Sequence, residues 1–246
     1  MTLRRERLTK RQLIVRLADG GAGSTAYRRA GGVPDLEGVP LDDRGLDTLR
    51  DAAAASPTGC ALFARPSSAM LVVPPFAIEA DLDAPKIDSA PLIALLDRPR
   101  VYAVFLLRLG GFSVGFFRGD SLIDSKTDQR FVKARHRKGG QSSRRFERIR
   151  EKQIDELFDK ACATARERLA PYERQIGHVF LGGDRLTLQR FRKVCAYFDG
   201  FGERLSPRIL HVHGDPRKAQ LEAIPREVWS SDVWTYEPDV APDPAT

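Results

Sequence analysis

The run from about Ser143 to Leu169 places the tightest limit on how this chain can fold. Phe146, Ile149, Leu157, Phe158, Ala161, Ala165 and Leu169 recur there at three- and four-residue steps with charges between them, the period of a long amphipathic helix. Such a helix is stable only if its apolar face is laid against another element. Pro171 stops it, and Ser142 or Ser143 can cap its start, although no Glu stands three residues further on to complete a capping box.

The most apolar stretch, Val101 to Phe117, is not a bilayer span: Arg108 lies in its middle and Gly110-Gly111 would break a helix. It reads as two strands, Val101 to Leu109 and Phe112 to Phe117, joined by a turn. Ser121 to Lys126 and Arg130 to Arg135 read as a further hairpin-like pair, with Phe131 expected in the core of a strand rather than stacked on a base. After the long helix come a strand at Val179 to Leu181, a Gly182-Gly183 turn, a helix capped by Asp184 and running to about Phe198, a strand at Ile209 to Val212 and a short helix from Pro216. The N-terminal portion is patchier. Gly20 to Gly45 is loop-like, Leu46 to Ala55 reads as a short helix, and Cys60 to Ala64 with Met70 to Val73 reads as a hairpin turning at Arg65-Pro66-Ser67-Ser68.

These elements predict an α/β chain bordering on α+β: a mixed β-sheet flanked by helices, with a smaller N-terminal α+β portion. Three parts are expected: residues 1–98, which could share the main sheet, residues 99–228, which hold the alternating elements, and residues 229–246, a disordered tail. Cys60, Cys162 and Cys195 are odd in number, far apart and without ligand-like spacing, so they are expected as buried thiols in a reducing compartment. The basic N-terminus carries only the short apolar patch Leu13 to Val15, too brief for a signal-peptide core; a cytoplasmic protein without a membrane partner is expected.

Lys and Arg number 40 against 33 Asp and Glu, a net charge of +7, which calls for a polyanionic partner without naming it. Between Arg130 and Lys152 there are ten Lys or Arg and only Glu147 and Glu151, so binding is to be sought in that segment. Its centre reads Lys133-Ala-Arg-His-Arg-Lys-Gly-Gly-Gln-Ser-Ser-Arg-Arg-Phe-Glu-Arg148. Adjacent glycines let a backbone approach a ligand closely. Arg135, Arg137 and Lys138 on one side, and Arg144 and Arg145 on the other, are placed to hold phosphates around the tip. The start of the helix adds unpaired N–H groups and a favourable dipole.

This string, set between strands and a long helix and followed by Val179-Phe-Leu-Gly-Gly183, resembles the catalytic domain of class-I translation release factors of eukaryotes and archaea and their Vms-like relatives. The resemblance runs from about Val101 to Ile224. It implies an RNase H-like fold and a Gly-Gly-Gln loop that enters the peptidyl-transferase centre and promotes attack of water on the ester joining peptide to tRNA. On that resemblance Gly139, Gly140 and Gln141 are the catalytic residues: the glycines permit entry beside the tRNA 3′ end, and Gln141 places the water and stabilises developing charge through its backbone N–H. Arg135, His136, Arg137, Lys138, Ser142, Arg144 and Arg145 are the implied RNA contacts, and the implied partners are large-subunit rRNA and peptidyl-tRNA. No cofactor, metal or DNA is implied, and the oligomeric state stays open. A full class-I factor has codon-reading and partner-recruiting domains for which this chain is too short, so the bacterial Vms-like branch, a codon-independent peptidyl-tRNA hydrolase in ribosome rescue, fits better.

Blander readings compete. A bare Gly-Gly-Gln is an ordinary polar turn, and Arg148, Arg150 and Lys152 can be a solvated helix face paired with Glu147 and Glu151. His211-Val-His213 on a strand followed by Asp215 can suggest a metal, but structural histidines are commoner and no metal is expected. Two other functions stay open: an endonuclease cutting the tRNA near its 3′ CCA end, and a ribosome- or RNA-binding factor without catalysis.

Overall fold

The computed structural model describes residues 3–18, 21–132, 141–212 and 214–237, with the backbone alone described for 141–144. The chain divides into two compact units, one formed by Met1–Arg98 with Trp229–Thr246 and one by Pro99–Val228.

In the first unit β1 (Arg4–Leu8), β2 (Ser24–Arg28), β3 (Cys60–Ala64), β4 (Ala69–Val73), β5 (Leu82–Ala84) and β11 (Ser231–Tyr236) form one sheet in the order β1-β11-β4-β3-β2-β5. Every neighbouring pair is antiparallel. Ala61, Phe63, Met70, Val72 and Val233 face α1 (Lys10–Leu17) and α3 (Ala90–Asp97), while Cys60, Leu62, Ala69, Leu71 and Trp234 face α2 (Asp43–Ala54). Because both faces are covered, β3 and β4 read as unbroken apolar runs rather than alternating ones. Their turn is closed by the Arg65 N–H donating to the Ser68 carbonyl at 2.8 Å. A capping box between Thr9 and Gln12 starts α1, and the Asp42 carboxylate accepts the Gly45 N–H at 2.8 Å to start α2.

The second unit has a five-stranded sheet in the order β10-β9-β6-β7-β8. Here β6 (Val101–Arg108), β7 (Gly111–Arg118) and β8 (Ser121–Gln129) form an antiparallel meander, and β9 (His178–Gly183) and β10 (Leu205–Leu210) join β6 in parallel. The fold is therefore mixed α/β, with helices flanking both sheets. Ala103, Phe105 and Leu107 of β6 and Phe112, Val114 and Phe116 of β7 form one core with α4 (Gln141–Leu169) and α5 (Arg185–Val194). Phe105 sits at its centre, 5.0 Å from the Phe191 ring and 4.9 Å from the Phe198 ring. The short helices α6 (Lys218–Ala223) and α7 (Pro225–Val228) follow β10. At the end of β9, Gly183 has φ +135° and a Cβ there would stand 2.0 Å from the Leu107 carbonyl oxygen, so only glycine fits before Asp184, whose carboxylate accepts the Thr187 N–H and caps α5.

Several expectations are corrected. β8 is one strand running to Gln129, and Arg130 to Val132 do not form a second arm; residues 133–135 lie outside the described residues. Phe131 is 76% exposed rather than a core residue. The long helix begins at Gln141, so Ser142 and Ser143 lie inside its first turn and neither is the cap. Gly182 and Gly183 end β9 instead of forming a separate turn, α5 stops at Val194 and a 3-10 segment follows, and β10 precedes the expected position, leaving His211 past its end. Residues 231–236 are not a tail but the second strand of the first sheet, seated between β1 and β4. The remaining tail, from residue 238, lies outside the described residues.

Cys162 and Cys195 are joined by a disulfide, not present as the two thiols expected; Cys60 alone is a buried thiol, pushed up to about 11 by burial. The crosslink ties the middle of α4 to the end of α5 across 33 residues of sequence, and closing a loop of that length restricts the unfolded chain by roughly 3–4 kcal/mol. Replacing both cysteines by serine is therefore expected to lower the urea midpoint markedly, with full reduction of the parent doing the same; a parent insensitive to reductant would show that the pair does not form.

His178, at the start of β9, is pushed down to about 4 by burial and then by the Arg100 charge. Below the ordinary histidine value of 6.5 the unfolded chain takes up a proton that the folded chain refuses until about pH 4, so stability falls as pH drops across that window. In pH-dependent unfolding, His178→Phe is expected to flatten this limb.

Candidate functional site

The 29 residues of α4 span about 43 Å, and its two halves differ in what they touch. Ile154, Leu157, Phe158, Ala161, Ala165 and Leu169 are all buried in the core of the second unit. Before Ile154 no described side chain of the helix is buried: Phe146 is 39% exposed, Arg145, Glu147 and Arg148 are exposed, and Ile149 is half-buried. Phe146 and Ile149 keep the helical period but find no core to enter.

Charge reverses at the same point. Residues 141–153 include Arg144, Arg145, Arg148, Arg150 and Lys152 against Glu147 and Glu151, whereas Asp155, Glu156 and Asp159 follow directly. The later half is tied to β8 and the residue that follows it by ion pairs: Lys160 to Asp128 at 3.3 Å, Glu156 to Arg130 at 3.7 Å and Arg168 to Asp124 at 3.7 Å. Each is partly exposed and worth little alone, but together they fix the rotation of the helix beside the strand. From the other side Arg190 of α5 reaches Glu151 at 2.6 Å. Arg145, Arg148 and Lys152, at i, i+3 and i+7, share one exposed face and have no ion pair among the described residues. The blander reading holds in part: Arg150 pairs with Glu151 at 3.7 Å, whereas Arg148 and Lys152 are exposed without one among the described residues.

The described residues on either side of the Gly-Gly-Gln segment are a strand end and a helix start. On the strand side the Arg130 N–H donates to the Gly110 carbonyl at 2.9 Å, and Val132 packs on the core. On the helix side Gln141 is the first residue of α4, which places its backbone N–H among the four that an α-helix leaves unpaired. Arg135, His136, Arg137, Lys138, Gly139 and Gly140 lie outside the described residues. Ser142 and Arg144 are placed in the first turn by backbone position, and Arg145 follows on the exposed face. Phe131, expected in a core, is instead exposed directly after β8, two residues before Lys133.

Among the described residues, no helix is long and apolar enough to cross a membrane. The family model for the Actinobacteria/chloroflexi VLRF1 release factor matches residues 100–234. The chain belongs to that family. It is 35% identical over 101 residues to peptide chain release factor subunit 1 of Archaeoglobus fulgidus, covering 41% of this chain and 25% of the relative. It is 33% identical over 91 residues to the protein of the same name from Picrophilus torridus, covering 37% and 22%. The chain thus spans about a quarter or less of the length of these curated relatives. Among solved structures it is similar to the Vms1 mitochondrial localization core, with 12% identity, 83% and 89% coverage of the two chains and a TM-score of 0.41.

The unequal support of α4 should be visible in solution. Backbone amides of residues 145–153 are expected to exchange with deuterium faster than those of 154–169, because none of the earlier described side chains is buried; equal protection along the helix would show that its two halves are equally supported.

Proposed function

We propose that this protein is a codon-independent peptidyl-tRNA hydrolase acting on large ribosomal subunits in translation termination or ribosome rescue. The observation that carries the reading is the position of Gln141 as the first residue of a long helix whose opening turns are basic and rest on no core. Family membership and the release-factor relatives support it. The unpaired helix N–H groups are suited to a developing oxyanion. Gly139 and Gly140 supply the close backbone approach, and Arg135, His136, Arg137, Lys138, Ser142, Arg144 and Arg145 hold RNA on either side.

In the proposed step water adds to the ester carbonyl carbon, the bond from that carbon to the tRNA ribose oxygen breaks, and the proton lost by the water ends on the ribose oxygen. The peptide leaves as a carboxylic acid. No side chain of this chain need act as a strong base, since positioning and charge stabilisation carry the rate. Phe131 is placed to stack on an unpaired base beside the entering loop, a contact that alanine substitution would weaken by about 1–3 kcal/mol.

Purified large subunits bearing a labelled peptidyl-tRNA test the proposal. The parent is expected to release peptide and leave tRNA with an intact CCA end, while Gln141→Pro, which removes the backbone N–H at a helix position that tolerates proline, and Gly140→Ala release it about a hundredfold more slowly or worse, the cost of losing one oxyanion donor or its placement. Release by both variants at the parent rate would remove the loop from the mechanism. A clipped tRNA end would instead indicate strand cleavage, and tight binding without any product would leave a factor that only binds.

A further inference from the structure

The positive charge of this chain is gathered in two places, and the loop segment is only one. Residues 3–17 hold Arg4, Arg5, Arg7, Lys10, Arg11 and Arg16 against Glu6 alone. Apart from this stretch and residues 130–152 the chain is net acidic. The first pole therefore lies in the other unit, on β1 and α1, and the family match, which covers residues 100–234, does not reach it.

We infer that the edge formed by β1 and the start of α1 is a second docking surface, for the phosphate backbone of structured RNA. β1 is the outermost strand of its sheet and pairs only with β11. Leu8 turns inward to pack with Leu13 and Leu17, which pins α1 against the strand and leaves the arginines outward. The Arg5 guanidinium lies 4.9 Å over the Trp234 ring and stays 62% exposed. Beside it Arg7 donates to both carboxylate oxygens of Asp232, at 3.0 and 3.3 Å, so Asp232 is spent on Arg7 and reaches Arg5 only at 4.0 Å. Arg4 is 74% exposed with Glu6 at 3.9 Å, and Glu6 itself is drawn to Arg16 at 3.1 Å. Arg11 is exposed with no ion pair among the described residues.

Arg4 and Arg5 leave the two faces of the β1 edge in alternation, and with Arg11 on α1 they are its outward cations. Five of the six cations in the stretch are arginine, whose planar fork suits phosphate better than the point charge of lysine. No aromatic ring is exposed among these residues, so the surface would follow the backbone rather than read bases. The choice of RNA over another polyanion rests on the function proposed above; the surface itself does not depend on the loop. A weak contact in each unit on one large RNA multiplies the two affinities, provided both engage together.

The test uses full-length protein, a mixed-sequence RNA duplex, empty large subunits and phosphatidylglycerol vesicles. The triple variant Arg4→Ala, Arg5→Ala, Arg11→Ala is expected to bind duplex and subunits about tenfold or more weakly at moderate salt, and to lower the slope of log affinity against log salt by roughly 2–3. The corresponding triple lysine variant keeps the charge and should retain most of that slope, with thermal unfolding of both variants close to the parent. Unchanged affinity and slope in the alanine triple, or a parent that binds vesicles and not duplex, would overturn the inference. Gln141→Pro separates the two claims: release lost with RNA affinity kept supports both, whereas release kept defeats the catalytic reading and leaves this surface standing.

Discussion

The packing of the second half of α4 onto β6 and β7 is the contact on which the rest of the second unit depends. Phe158 and Leu157 meet the same core as Phe105 and Val114, and Phe191 of α5 closes it at 5.5 Å from Phe158. Truncating one such ring to alanine in a core of this kind costs about 3–5 kcal/mol, comparable with a large part of a domain's net stability. Because that half is held so firmly, the first half can be carried without a core of its own. The helix acts as a bracket: its apolar end is set in the unit, and its basic end presents whatever precedes Gln141.

Polar contacts refine the placement that the core makes possible. The pairs from Asp124, Asp128 and Arg130 to α4 run along β8, an edge strand. They add little energy individually, but side chains along the outermost strand are engaged with the helix, which makes that strand a poorer template for another chain. The disulfide from Cys162 to Cys195 works on the same joint from the side of α5. Both sets of contacts fall at or beyond the turn of Ile154, while the ion pair from Arg190 to Glu151 ties an earlier turn to α5.

Legibility in the sequence followed the reach of each interaction. The long helix, the β6–β7 pair, the β3–β4 hairpin and the Asp184 cap were readable because their determinants are local: a three-to-four period, a glycine pair, a turn, a carboxylate before a helix. β2 was hidden in a glycine-rich passage because Ser24 to Arg28 earns its strand by pairing with β3 and β5, and α3 was hidden among prolines. β11 was lost for the same reason more severely, since Ser231 to Tyr236 joins strands formed by residues 4–8 and 69–73. The disulfide could not be seen at all: only the packing of α4 against α5 brings Cys162 and Cys195 together. At the site the residue types and their order were legible, but the change of environment along α4 was not, because Phe146 and Ile149 continue the apolar period past the last residue that has a core to enter.

That mismatch bears on how such a site can work. A loop that carries its own strong base needs a rigid, dry surround to tune it, and none of the described side chains from Arg145 to Gln153 is buried. In the proposed function the RNA partner supplies the enclosing walls and this chain supplies geometry and charge: glycines that do not obstruct, a helix start whose N–H groups are unpaired, and arginines that offset the repulsion between phosphates. Asp155, Glu156 and Asp159 follow the basic turns directly, so along this helix the attraction for a polyanion is strongest at the end next to Gln141.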